Sequence, residues 1–146
     1  MKDGLKITMI NQGTVIDHLP PGSALDITNL MNLDTNEPVI IAMNVESTKQ
    51  GRKDMIKVEK KLLSKGETDR ISLLAPGATI NIIENGSVSG KRHVKPPGEL
   101  KGTALCPNEK CVTNTEDCPT RFLMRNGKYK CYFCERSYAV EEVRLC

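Results

Sequence analysis

The sequence predicts an α+β fold: an antiparallel sheet with two helices on one face, followed by a small β-rich module that carries the cysteines. Three observations predict it. Short β-branched runs and two helix-like segments follow one another in the order β-α-β-β-α-β up to His93. The stretch Val94 to Thr103, VKPPGELKGT, then combines two prolines and two glycines without apolar periodicity, as a linker does. All six cysteines lie between Cys106 and Cys146, and all five aromatic residues lie at or beyond Phe122. The two parts are therefore built differently, and the predicted domains are 1–97 and 98–146.

The first strand is read over Lys6 to Leu19, where KITMI and TVIDHL are rich in β-branched residues and Gly13 interrupts them. Pro20, Pro21 and Gly22 end it. Ser23 is the predicted N-cap of the first helix, whose apolar stripe is Leu25, Ile27, Leu30, Met31 and Leu33. VIIAMNV, after the turn-like DTNEP, has the short β-branched character of a strand. RKDMIKVEKKLL fits either period, and the alternation in MIKVE favours a strand. Ser64 and Glu67 form a predicted capping box for a second helix over ETDRISLL, which stops before Ala75-Pro76-Gly77. ATINII and SVSGKRHV close the domain as a hairpin around Asn85-Gly86, a pair that favours a type I′ turn.

The bulk composition narrows the classes of function. At 38% hydrophobic and 27% charged, the 146 residues are those of a globular chain with a packed core. No run approaches the roughly 18 apolar residues of a membrane span, and MKDGLKITMI lacks the apolar block of a secretory signal, so a cytoplasmic location is expected. The net charge of +3 divides into +2 before Gly98 and +1 from there on, which is not the charge pattern of a general nucleic-acid binder.

In a reducing compartment, paired cysteines point to a metal rather than to disulfides. Cys106-x4-Cys111 and Cys131-x2-Cys134, nineteen residues apart, form two pairs, each close enough for a turn to aim both sulfurs at one ion. Four thiolates satisfy tetrahedral Zn(II), leave no position for a reactive water, and so predict one structural zinc per chain, with iron as the alternative. Cys118 and Cys146 fit neither pair. A module of this length seldom folds without such a staple.

Four ordered strings, Gly13-Thr14-Val15-Ile16-Asp17-His18-Leu19-Pro20, Gly51-Arg52-Lys53-Asp54, Ala75-Pro76-x-Ala78-Thr79 and Cys106-Pro107-Asn108, resemble the regulatory chain of aspartate carbamoyltransferase, almost end to end. The resemblance implies a ferredoxin-like allosteric domain that forms homodimers, and a zinc domain that attaches to catalytic trimers. It implies effector nucleotides, CTP and ATP with UTP as a third candidate, competing for one site. By similarity His18 and Lys91 stand at the phosphates and Asp17 and Lys57 nearer ribose and base, with Ile10, Val15, Asn81, Ile83 and Val88 as the wall. Asn108 and Glu135 are the expected partner contacts. This chain departs from the family at Gly4, where a basic residue is usual, and at Gly86, where an aromatic one is.

Without the resemblance, a strand lysine is ordinarily a solvated face residue and His18 a satisfied structural histidine. Two other classes of function compete. One is a nucleic-acid-binding zinc ribbon, suggested by aromatics interleaved with Arg121, Arg125, Lys128 and Lys130. The other is a thiol enzyme using Cys118 or Cys146 with His18. No Ser-His-Asp set, paired-carboxylate site or Walker-type loop is evident, and a subunit without chemistry of its own is the expectation.

Overall fold

The computed structural model describes residues 11–31, 36–48 and 51–145. The chain divides into two compact units, Met1–Lys95 and Pro96–Cys146. No helix among the described residues is long and apolar enough to cross a membrane.

The first unit is built from β1 (Gly13–Leu19), α1 (Ala24–Met31), β2 (Val39–Ser47), β3 (Gly51–Glu59), α2 (Lys65–Leu74), β4 (Thr79–Glu84) and β5 (Ser87–His93). The strands form one sheet in the order β2-β3-β1-β4-β5, antiparallel at every pairing, which is the split βαβ arrangement with a fifth strand added beyond β4. Register decides which side chains meet the helices. Ile16 pairs with both Ile56 and Ile80, and these pack with Ala24, Ile27 and Met31 of α1 and Ile71 of α2 in a single buried cluster. Because side chains alternate along a strand, the residues between them project to the opposite face.

Several local expectations are met. Ser64 Oγ accepts from the Glu67 amide at 3.1 Å and the Glu67 carboxylate accepts from the Ser64 amide at 3.0 Å, completing the capping box of α2. Asn85 and Gly86 both have positive φ, 52° and 79°, as a type I′ turn requires. MIKVE is part of strand β3.

Others are corrected. Leu25 is 54% exposed, and the buried stripe of α1 is Ala24, Ile27 and Met31, because i, i+3 and i+7 share a face that position 25 misses by about a quarter turn. Leu33 and the Lys6 to Ile10 part of the first predicted strand lie outside the described residues. The Ser23 carbonyl accepts the first helical bond from Ile27, but its hydroxyl donates to the Pro20 carbonyl at 2.7 Å and does not cap the helix. Asp54 does, from β3. Its Oδ2 accepts from the amides of Gly22 and Ala24, at 2.8 and 3.0 Å, and its Oδ1 accepts from Asn44 at 2.7 Å. Asp54 is fully buried, so its carboxylate depends on these three amides for its hydrogen bonds. Asp54→Ala is therefore expected to lower the unfolding free energy by about 3 kcal/mol, read from thermal or denaturant unfolding of the full chain.

The predicted linker is shorter than its composition suggests. Val94 is buried in the first core and its amide bonds the Ala78 carbonyl at 3.1 Å, while Glu99–Lys101 forms strand β6 of the second unit. Leu100 is the reason: it is the register partner of Phe122, and both side chains are buried. That unit continues with β7 (Ala104–Leu105), a one-turn helix α3 (Val112–Thr115), β8 (Arg121–Arg125), β9 (Lys128–Cys131), β10 (Ser137–Tyr138), a 3₁₀ turn (Val140–Glu142) and β11 (Arg144–Leu145). Its sheets run β10-β9-β8-β6 and β11-β7. Phe122 and Tyr129 are buried edge to face, 6.4 Å between ring centres, and the Tyr129 hydroxyl donates to the Pro97 carbonyl at 2.6 Å.

Candidate functional site

On the sheet face opposite the helices, register aligns one cross-strand row: Ile40, Lys57, Val15, Asn81 and Lys91. From Lys57 on β3 to Lys91 on β5 the row crosses three strand spacings, about 14 Å. Beside it, on one flank, Asp17 pairs with Thr79 and Thr79 with His93. On the other flank Gly13, Ile83 and Val88 stand in register, and Ile83 is buried without belonging to the helix-side core. An alternating strand would turn His18 away from this face. A bulge prevents that: three steps of β1, Ile16 to Leu19, span two steps of β3, Ile56 to Asp54. His18 takes a left-handed φ of 59°, its amide donates to Asp17 Oδ1 at 2.7 Å, and its Nδ1 lies 2.9 Å from Thr79 Oγ1.

Charge on this face is mixed. Lys53 Nζ sits 2.9 Å from Asp17 Oδ1 in a pair that is largely buried on both sides. Burial pushes the Asp17 carboxyl up, but the Lys53 hydrogen bond, the His18 amide and the nearby positive charges outweigh it and hold the group below its usual range. Burial pushes Lys57 down, opposed by the charge of Asp17 and assisted by that of Lys53. The face thus holds a carboxylate, a histidine and several lysines beside Val15, Ile83 and Val88.

In the second unit four sulfurs converge. Cys106 Sγ and Cys134 Sγ are 3.8 Å apart, as are Cys111 Sγ and Cys131 Sγ, and all four atoms lie within 4.8 Å of one another. A tetrahedral ion with metal–sulfur bonds of about 2.3 Å requires sulfurs about 3.8 Å apart, so the donor set fits one four-coordinate metal. Turns aim the pairs. The Cys111 amide donates to the Asn108 carbonyl at 2.9 Å, and the Glu135 amide, at a residue with φ of 64°, donates to the Cys131 carbonyl at 2.9 Å. Thr113 Oγ1 donates to Cys111 Sγ at 3.2 Å. Burial drives the Cys106 thiol up to about 12. Burial pushes Cys134 the same way, but the Arg136 amide and hydrogen bonds from Asn108 and the neighbouring cysteines bring it to about 7. A dication among the four sulfurs would supply the charge that deprotonates them all. Cys118 is not in the cluster, and Cys146 lies outside the described residues.

Two families with known members match this chain. Residues 5–95 match the allosteric domain of the aspartate carbamoyltransferase regulatory chain, and residues 98–144 match that chain's metal binding domain. The chain belongs to the aspartate carbamoyltransferase regulatory chain family. Regulatory chains of that name from Methanopyrus kandleri and Thermofilum pendens are each 44% identical to it, the first over 96% of this chain and 94% of the relative, the second over 98% and 94%. The regulatory chain of Ignicoccus hospitalis is 46% identical over 95% of this chain and 94% of its own.

Such regulatory chains are non-catalytic subunits. The metal binding domain of the family contains all four converging cysteines, and together they support a bound metal in this regulatory chain. Of the residues singled out in the allosteric domain, Val15, Asp17, His18, Lys57, Asn81, Ile83, Val88 and Lys91 stand on the one sheet face, and Ile10 lies outside the described residues. Asn108 and Glu135 both flank the metal cluster. The Asn108 backbone carbonyl also accepts from Asn114 Nδ2 at 2.8 Å and the residue is half-buried, whereas Glu135 is exposed. Sequence reading missed Lys53, Thr79 and His93. The signal for Lys53 was present, since it alternates with Met55 and Lys57 along β3 and so shares their face.

Proposed function

We propose that this chain is the effector-binding subunit of aspartate carbamoyltransferase: it takes a nucleoside triphosphate on the open face of its sheet and modulates catalytic chains to which its zinc module is docked. What carries the reading is the gathering of the eight candidate residues on one face, by pleat and bulge, in a domain of the allosteric type. Lys91 and His18 supply positive charge and donors for the phosphates. Asp17, ionised at neutral pH and neutralised by Lys53, accepts from ribose or an exocyclic amine, with Lys57 beside it. With no aromatic side chain in this domain, the base packs on Val15, Ile83 and Val88 and bonds to backbone and Asn81. ATP and CTP compete for this single site, and UTP is a third effector of the same chemistry.

The metal is zinc, one per chain, because an all-thiolate tetrahedral site suits that ion and holds no open position. Its role is structural, and Asn108 and Glu135 beside it meet the catalytic chain. Self-association is the work of the allosteric domain. The edge strand β2 has no outer neighbour among the described residues, yet it reads VIIAMNV with Ile41 36% and Met43 40% exposed. A long apolar edge is a template for a second copy. The double variant Ile41→Lys, Met43→Lys is expected to weaken the homodimer about tenfold or more, read by sedimentation across a dilution series.

The reading is tested by calorimetry on the full chain. ATP should bind, CTP should displace it with the competition of one shared site, and mixing with cognate catalytic trimers should give a larger complex. Independent, non-competing binding of the two nucleotides would contradict a single face.

A further inference from the structure

Lys53 and Asp54 are consecutive on β3 and project to opposite faces. Lys53 reaches Asp17 on the open face at 2.9 Å, while Asp54 is fully buried on the other side with three backbone amides on its carboxylate. Those amides come from β2 and from the turn and helix that follow β1, the two strands that flank β3. On the β2 side the Asn44 amide, at 2.7 Å, lies within a bulge where Ala42 to Val45 spans Met55 to Lys53, and Asn44 has a left-handed φ of 57°. On the β1 side Gly22 and Ala24 lie beyond Pro20 and Pro21, in the turn and at the start of α1, and between them and the His18 bulge Leu19 takes Asp54 as its register partner. Left-handed backbone at a histidine is held only where surrounding structure over-determines it.

We propose that Asp54 is the positioning residue of the open face: its buried carboxylate pins the β2 bulge on one side and the turn into α1 on the other, and with Leu19 in register beside it so holds the His18 bulge that presents Asp17 and His18 together and keeps Lys53 in reach of Asp17. The inference rests on the nucleotide reading of that face and adds to it a residue that no ligand would touch. The chemistry requires two acceptor oxygens. Oδ2 serves the β1 side and Oδ1 the β2 side, so a carboxamide, with one oxygen, satisfies one flank and turns an N–H group towards the other.

The test uses the full chain with three substitutions: Asp54→Asn, Asp54→Ala, and Ile27→Val as a core control of reduced stability in the same helix. ATP and CTP affinities are measured by calorimetry, and the His18 ring resonances and their pH titration by NMR, at a temperature where each variant is folded. Asp54→Asn is expected to weaken both nucleotides about fivefold to tenfold and to shift the His18 resonances and their titration midpoint, with Asp54→Ala at least as strong. Ile27→Val should leave both readouts at the parent values. The inference is overturned if the folded Asp54 variants keep the parent His18 spectrum, or if Ile27→Val moves it equally. If the parent chain binds neither nucleotide, the nucleotide reading fails on its own, and the His18 spectra still decide whether Asp54 holds the bulge.

Discussion

Cys131→Ser is expected to release the metal, unfold the second unit and abolish association with catalytic chains, while nucleotide binding by the first unit survives. The four sulfurs close on one point, and Cys131 is fully buried next to Phe122, its cross-strand partner. A serine hydroxyl there cannot replace a thiolate ligand. Binding free energy in small structural zinc sites is about 10 kcal/mol or more, and the apolar core of this unit is short, with Leu100, Phe122, Tyr129 and Val143 as its large buried residues besides the cysteines. Most of the unit's folding free energy is therefore in the metal. Metal analysis, circular dichroism and sizing of the mixture with catalytic trimers read the three consequences. A Cys131→Ser chain that keeps one equivalent of zinc and assembles normally would refute the structural role. Chelation of the parent chain should reproduce the variant, and readdition of zinc should reverse it.

Lys91→Ala should weaken ATP and CTP alike, by about tenfold, because the proposed site sets this residue against the phosphates that both carry. Lys91 is exposed at the β5 end of the cross-strand row, so its loss leaves the fold and the metal unchanged. Lys57→Ala is expected to behave differently. It stands at the other end of the row, beside Asp17, and its removal should alter the ratio of the two affinities more than their mean. Calorimetry with both nucleotides on both variants separates the cases.

Much of this architecture was legible because it rests on local chemistry. The capping box at Ser64 and Glu67, the Asn85-Gly86 turn and the period-2 alternation of MIKVE each depend on residues within a few positions of one another. The cysteine pairs were legible for the same reason: each turn is short, and the requirement for four ligands joins them. What could not be read depends on distant partners. Nothing near Ser23 announces that a carboxylate thirty-one residues later, Asp54, caps the helix in its place. Leu25 looks apolar enough for the core, and only the packed helix shows that Ala24 occupies that face. Leu100 sits in a stretch whose prolines and glycines suggest a linker, yet its pairing with Phe122 draws it into a sheet. At the candidate site, the residue types of Asp17 and His18 were visible, but adjacent strand residues normally point apart. Only the bulge brings them together, and the bulge is a property of how β1 meets β3.

In the proposed function this sheet face takes the effector and another polypeptide answers it. A ligand can shift that response only through its different affinity for two states of the assembly, typically by a factor of about 5 to 150. The most direct measurement is aspartate saturation of the complex reconstituted from cognate catalytic trimers and either the parent chain or Lys91→Ala, across a series of ATP and CTP concentrations. Nucleotides are expected to move the parent's half-saturation point, and Lys91→Ala, with normal zinc and normal assembled mass, to need about tenfold more of either nucleotide for the same movement. A Lys91→Ala complex whose responses to ATP and CTP match the parent's at every concentration would contradict the proposed function.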